Sequence, residues 1–268
     1  MNVRLPIGAI VLGLVMFFGA LVGGCGLLPE VKDETGNWSV ERIFQNGREA
    51  VQEGNYARAI KLFETLESRY PYGPYAQQAV LQLAYANYKS GEMAAAVSAA
   101  DRFIKQYPNH ANVDYAYFVK GLANFNEDFG FLTFLANQDL SERDPKTLRE
   151  SFSAFRDLVA KFPESRYAAD SSARMKFLVN ALASGEVHVA RYYYNRGAYV
   201  AAASRAQFTV LTYPTAPVIE DALGLMVSSY DKLKLPDLRD DARRILEKNF
   251  PKSQYLTVGN TSAWWKFW

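Results

Sequence analysis

The sequence predicts an all-α solenoid of about five helix-turn-helix repeats, and three observations carry that expectation. From residue 39 to about residue 255, apolar residues recur at helical spacing, with none of the period-two alternation a strand would show. Five times an apolar stretch ends in an aromatic residue followed by proline: Tyr70-Pro71, Tyr107-Pro108, Phe162-Pro163, Tyr213-Pro214 and Phe250-Pro251. Proline cannot continue a helix and biases the residue before it away from the α region, so each pair is a helix stop. The stops also share a register. Five positions before the proline stand Leu66, Phe103, Leu158, Thr209 and Leu246, and twelve before it stand Ala59, Ala96, Ser151, Ala202 and Arg239. A small residue lets two helices approach closely while a large one fills the groove between them, and recurrence of that pair is repeat packing.

At the N-terminus, Met1–Arg4 is a short segment with one positive charge, and Ile7 to Val22 is a run of sixteen residues without a polar side chain. As a helix that run rises about 24 Å, short of a hydrocarbon core of about 30 Å, so residues 1–24 read as a signal peptide and not as a permanent anchor. Val22-Gly23-Gly24-Cys25 ends the run, and it resembles a bacterial lipobox. Cleavage before Cys25 would leave its sulfur to carry diacylglycerol, and more than one acyl chain holds a protein on a membrane without any spanning helix. Gly26, where some lipoproteins carry aspartate, resembles the outer-membrane sorting pattern. Residues 25–38 hold Pro, Gly and charges without periodicity and are expected to be a lipidated tether. Ser39 stands where the first helix needs a cap.

The prolines of the stops are spaced by 37, 55, 51 and 37 residues. In the first unit Gly47, Ala59, Phe63 and Pro71 follow the spacing of a tetratricopeptide (TPR) repeat, with Gly54-Asn55 as the turn between its helices. Later units are looser, with Ala100 and Ala206 at the large aromatic position and Arg239 at a small one. The 55-residue interval contains an insert, Asn126–Asp144, and the 51-residue interval implies a long helix through Ala169–Arg196. The expected organisation is therefore units one and two over 39–125, a connecting insert at 126–145, units three to five over 146–256, and an aromatic tail at 257–268.

Composition narrows the function classes. The 268 residues are 49% hydrophobic and 14% aromatic, enough for a large core, and 30 basic against 28 acidic side chains leave a net charge of +2. That balance gives no basic field for nucleic acid. Two histidines, His110 and His188, and the single Cys25 lack the spacing of a metal site, a disulfide framework or a Cys–His pair. No nucleophile elbow or phosphate loop is present. The expected protein binds other chains, with no catalytic residue, no metal and no cofactor.

The segments Arg69-Tyr-Pro-Tyr-Gly-Pro-Tyr75 with Gln77-Gln78, Asp101-Arg-Phe-Ile-Lys105, Arg143-Asp-Pro145 and Tyr193-Tyr-Asn-Arg-Gly-Ala-Tyr199 resemble the BamD (ComL-type) family of outer-membrane assembly lipoproteins. The similarity runs from about Ser39 to Leu256. It implies a five-repeat scaffold, lipid-anchored in the outer membrane and facing the periplasm, that binds BamA and unfolded β-barrel clients, with BamC and BamE as further partners. It also implies that the N-terminal groove receives extended client segments, where Tyr70, Gly73 and Tyr75 match. The C-terminal units would dock the last POTRA domain of BamA, through Arg205 with Arg196 nearby. The tail Asn260–Trp268 has no counterpart in the family pattern.

Read without the resemblance, these residues leave alternatives open. Tyr70 and Tyr75 serve either a peptide or the packing between units one and two. Arg196 and Arg205 lie nine residues apart, on one side of a helix if it is continuous, and fit either a docking surface or a solvated face. Trp264, Trp265, Phe267 and Trp268 suit a membrane interface, a partner groove or a cap on the last repeat. Two other functions compete with barrel assembly: a different periplasmic TPR lipoprotein, such as a secretin pilotin or envelope coordination factor, and a helical-scaffold lytic transglycosylase, for which no segment is left to build a catalytic cleft.

Overall fold

The computed structural model describes residues 34–125 and 145–257, and these are helical without a strand. Cys25 with the leader 1–24, most of the tether, the insert 126–144 and the tail 258–268 lie outside the described residues. Residues 34–39 form a turn in which the Trp38 amide donates to the Thr35 carbonyl at 3.0 Å. The helical array then comprises α1 (Val40–Gln52), α2 (Tyr56–Arg69), α3 (Pro74–Lys89), α4 (Met93–Gln106), α5 (Val113–Phe125), α6 (Pro145–Lys161), α7 (Ala168–Asn195), α8 (Tyr199–Thr212), α9 (Ile219–Lys232), α10 (Pro236–Asn249) and the short α11 (Gln254–Thr257). Each helix packs on the next in sequence. In addition α3 packs on both α1 and α5, and α9 packs on α7. First helices of successive pairs thus meet one another, which is how a solenoid buries a continuous core from units that could not do so alone.

The aromatic–proline stops are built alike. The amide of the aromatic residue donates to the carbonyl four residues back: Tyr70 to Leu66, Tyr107 to Phe103, Phe162 to Leu158, Tyr213 to Thr209 and Phe250 to Leu246, all at 2.7–2.9 Å. That bond completes the last turn, and the following proline prevents another. Leu66, Phe103, Leu158, Thr209 and Leu246 are all fully buried, as are Ala59, Ala96, Ser151 and Ala202. The two polar members keep their hydroxyls bonded, Thr209 Oγ1 donating to the Arg205 carbonyl at 3.0 Å and Ser151 Oγ to the Gly121 carbonyl at 2.9 Å. Arg239, the misfit in the fifth unit, points to solvent and pairs with Asp231 (3.2 Å) and Asp240 (2.8 Å).

Turns inside the pairs repeat as well. The Asn55 amide donates to the Ala50 carbonyl, Glu92 to Asn87, Ala198 to Tyr193 and Leu235 to Tyr230, at 2.8–3.0 Å. The residue before each donor has positive φ: Gly54, Gly91 and Gly197 at +74°, +87° and +76°, but Lys234 at +60°. A side chain in this left-handed region costs about 1 kcal/mol, of which glycine's greater freedom in the unfolded chain offsets part. Lys234→Gly is therefore expected to stabilise the protein by about 0.5 kcal/mol and to raise the calorimetric Tm by about 1–2 °C. A lower Tm would contradict this account of the turn.

The third pair departs from that plan. Helix α5, at the end of the 39–125 segment, packs on α6, so residues 126–144 stand where the other pairs have their tight turn. The contact is close. A Cβ on Gly121 would lie under 3.0 Å from the ring of Phe155, which is itself fully buried, and the Ser151 bond to the Gly121 carbonyl lies beside it. Gly47 against Phe63 in the first pair makes the same approach. In the fifth pair Gly224 does so against Tyr255, a residue of α11 outside the pair. The 51-residue interval is taken up by α7, whose 28 residues pack on α6, α8 and α9.

Candidate functional site

The Arg69–Tyr75 turn divides its tyrosines between surface and core. Pro71 ends α2 with Tyr70 at φ −129° and ψ 68°, leaving Tyr70 37% exposed, while Tyr72 is 90% exposed. Gly73, at φ +98°, turns the chain into α3, with Pro74 at the first helical position. No atom lies within 4 Å of where a Cβ on Gly73 would stand, so its backbone angle, and not crowding, calls for glycine. Tyr75 is half-buried, its ring 5.4 Å from that of Phe44, which in turn meets Phe63. Tyr75 therefore joins unit one to unit two, and Tyr70 and Tyr72 form the outer aromatic surface.

Arg196 and Arg205 do not share a helix. Arg196 caps α7, its guanidinium 5.2 Å from the centre of the half-exposed Tyr192 ring, and the Gly197 turn then starts α8. Arg205 lies mid-way along α8 and donates from Nη1 to Glu186 Oε2 at 3.0 Å. Glu186, on α7, is only 12% exposed, and its other oxygen faces Arg149 Nη2 of α6 at 3.7 Å. Two cations from flanking helices thus share one carboxylate. Tyr213 bonds to Arg149 beside them, and burial, with Glu186 nearby, raises its hydroxyl above the ordinary tyrosine range.

A family model described as outer membrane lipoprotein (YfiO) matches residues 37–246, the greater part of the array. The chain belongs to this family. The outer membrane protein assembly factor BamD of Neisseria meningitidis serogroup B (strain MC58) is 45% identical over 261 residues, covering 95% of this chain and 98% of that protein. The BamD of Neisseria gonorrhoeae is 47% identical with the same coverage. That of Xylella fastidiosa (strain Temecula1) is 39% identical over 236 residues, covering 88% of this chain and 80% of the relative. The YfiO match thus takes in both the Tyr70 turn and the arginine cluster.

A further cleft in this YfiO-family chain has no single motif to announce it. It measures about 670 Å³ between α3, the start of α5 and the 164–167 turn. Tyr115 and Tyr167 line it with rings 5.3 Å apart, and they continue into a row with Tyr85, 6.4 Å from Tyr115, and Phe118, stacked on Tyr167 at 4.6 Å. Asp114 fixes the turn, accepting from Ser165 Oγ at 2.6 Å and from the Tyr115 amide at 2.8 Å. Burial, reinforced by Tyr85 and Tyr167, pushes the Tyr115 hydroxyl far above its ordinary value, so it stays protonated as a hydrogen-bonding group. Rings with polar edges can cover an extended peptide while pairing its amides. Among the described residues no group of three His, Cys, Asp or Glu is placed to hold a metal, and no helix is long and apolar enough to cross a membrane.

Proposed function

We propose that this chain is the scaffold lipoprotein of the β-barrel assembly machinery of the outer membrane. Similarity to curated BamD proteins along nearly the whole chain carries the reading and favours it over a secretin pilotin or an envelope coordination factor. The protein acts by binding and not by catalysis. Signal peptidase removes residues 1–24, lipid on Cys25 anchors the chain with its repeats in the periplasm, and residues 25–38 are the tether. The N-terminal units, 39–125, hold unfolded barrel segments against Tyr70, with Gly73 setting the turn and Tyr75 supporting it from within. The C-terminal units, 146–256, dock the last POTRA domain of BamA through Arg205 and Arg196, and BamC and BamE join the same assembly.

Affinity purification of the tagged chain from detergent-solubilised membranes tests this. BamA is the expected dominant partner, and recovery of a secretin in its place would overturn the reading. Tyr70→Ala is expected to reduce photocrosslinking to a client peptide several-fold while leaving the helical circular dichroism signal unchanged, because Tyr70 lies outside the buried core. Undiminished crosslinking in that folded variant would remove Tyr70 from the client site. Arg205→Glu places a carboxylate against Glu186 and is expected to lower BamA recovery about tenfold or more. Full recovery would refute the docking role.

A further inference from the structure

Where one pair meets the next, a fixed position of the chain sits over a fixed position of the preceding first helix. Four residues after the stop prolines stand Tyr75, Asn112, Tyr167, Val218 and Tyr255. Ten residues before the positive-φ turn residues stand Phe44, Leu81, Val187 and Gly224. The third pair lacks that turn, and there Phe118 holds the place, three residues before Gly121 as Phe44 is before Gly47. The two sets meet. The Tyr75 ring lies 5.4 Å from that of Phe44, Tyr167 stacks on Phe118, Tyr255 covers Gly224, and Val218 packs on the core that contains Val187. Between the second and third pairs the couple is Leu81 and Asn112. Leu81 is buried, Asn112 is exposed, and both line the cleft of about 670 Å³. Among the described residues this is the one boundary where an exposed polar side chain stands in place of a ring or a valine. Neighbour contacts are what hold a repeat array together, so the cleft is a gap in that series. Its volume falls in the range of about 300–1,000 Å³ that ligand clefts occupy.

We propose that this cleft receives one neutral aromatic side chain from another polypeptide, which completes the boundary as Tyr75, Tyr167 and Tyr255 complete theirs. Tyr115 and Tyr167 line the cleft, and an incoming ring can meet them at the tilted or offset distances of about 4.5–7 Å that aromatic pairs prefer. Gln82 and Asn112 bring side-chain amides that can pair with the extended backbone on either side of that ring. Charge excludes an anion. Glu164 and Arg166 are of opposite sign, and Asp114 is taken up by Ser165 Oγ and the Tyr115 amide, so no concentrated positive field is present. The site is separate from the Tyr70 turn, which lies one boundary earlier, and does not depend on the reading of that turn.

The test uses the full lipidated chain in detergent and a blocked peptide of glycine and serine whose central residue is p-benzoylphenylalanine, with crosslinked positions mapped by mass spectrometry. Crosslinks are expected at Leu81, Asn112 and Tyr115. The same peptide with central tyrosine should compete at a concentration about tenfold lower than the peptide with central alanine, because a buried aromatic anchor dominates such binding. Asn112→Tyr supplies the missing ring from the chain itself. It is expected to raise the calorimetric Tm by about 2–4 °C and to reduce the cleft crosslinks about tenfold, with any crosslinks at Tyr70 unchanged. Asn112→Ala, which leaves the cleft open, is expected to keep them. Crosslinks that avoid the cleft, equal competition by the alanine peptide, or capture undiminished in Asn112→Tyr would each overturn the proposal. A lowered Tm in Asn112→Tyr would do the same, since the space would then not fit a ring. Competition by p-cresol but not by the tyrosine peptide would assign the cleft to free aromatic molecules and overturn its assignment to a polypeptide.

Discussion

Tyr255→Ala is expected to cost about 3–5 kcal/mol and to release the last helix pair before the rest of the array. The ring lies over Gly224, where any Cβ would stand closer than 3.0 Å, and it belongs to the same core as Ala222, Leu223 and Leu246. Its hydroxyl donates to Asp221, whose other oxygen faces Arg191 at 3.6 Å. Alanine would leave a cavity and leave Asp221 with the arginine as its remaining partner here. The position eight before the stop, filled by Phe63 and Phe155 in the first and third pairs, is Arg243 in the fifth, so the pair has no ring of its own to fill the space. Because repeats are stabilised by nearest neighbours, the loss should be local. Hydrogen exchange is the measurement: amides of α9 and α10 should lose protection by a factor of about 100 or more while those of α2 to α4 keep theirs. Uniform loss along the chain would show that the array unfolds as one block.

The largest cellular effect is expected from Cys25→Ser. Each buried methylene contributes about 0.8 kcal/mol, so a chain of about fourteen methylenes contributes on the order of 10 kcal/mol, and two or more such chains make release negligible. Serine has no thiol to accept the lipid, and cleavage by the lipoprotein peptidase depends on that modification. The variant should leave the outer-membrane fraction almost completely and persist as a precursor retaining residues 1–24, visible as a larger band on a denaturing gel. An unchanged mature size and unchanged outer-membrane fractionation would overturn the lipid-anchor reading.

Much of the fold is legible in the chain because its punctuation is local. Tyrosine or phenylalanine before proline acts on its own helix, and Leu66, Phe103, Leu158, Thr209 and Leu246 could be marked as core by counting back from it. Features that depend on distant residues are less visible. The sequence left open whether 196–205 is one continuous helix, and the Gly197 turn answers that it is not, Gly197 standing in the fourth unit where Gly54 and Gly91 stand in the first two. Tyr255 reads as the end of the periodic region, and its partner Gly224 lies 31 residues earlier. Among the site residues, the exposure of Tyr70 could not be read from its place at a helix stop, because Tyr107, Phe162, Tyr213 and Phe250 at the same place pack against the core. The inward turn of Tyr75 toward Phe44 and the sharing of Glu186 between two arginines require three helices to be placed first. The row from Tyr85 to Tyr167 draws on three separate segments and has no linear signature.

The third pair also bears on what joins the array at its middle. Elsewhere a few residues tie the two helices of a pair, and the backbone itself enforces their neighbourhood. Between α5 and α6 nineteen residues intervene, and the glycine–phenylalanine approach and the serine bond hold the helices face to face. Backbone connection at that point is expected to be dispensable to the contact. A chain severed within 126–144 should behave as two complementary fragments, reassembling on mixing into one particle, much as a split reporter does.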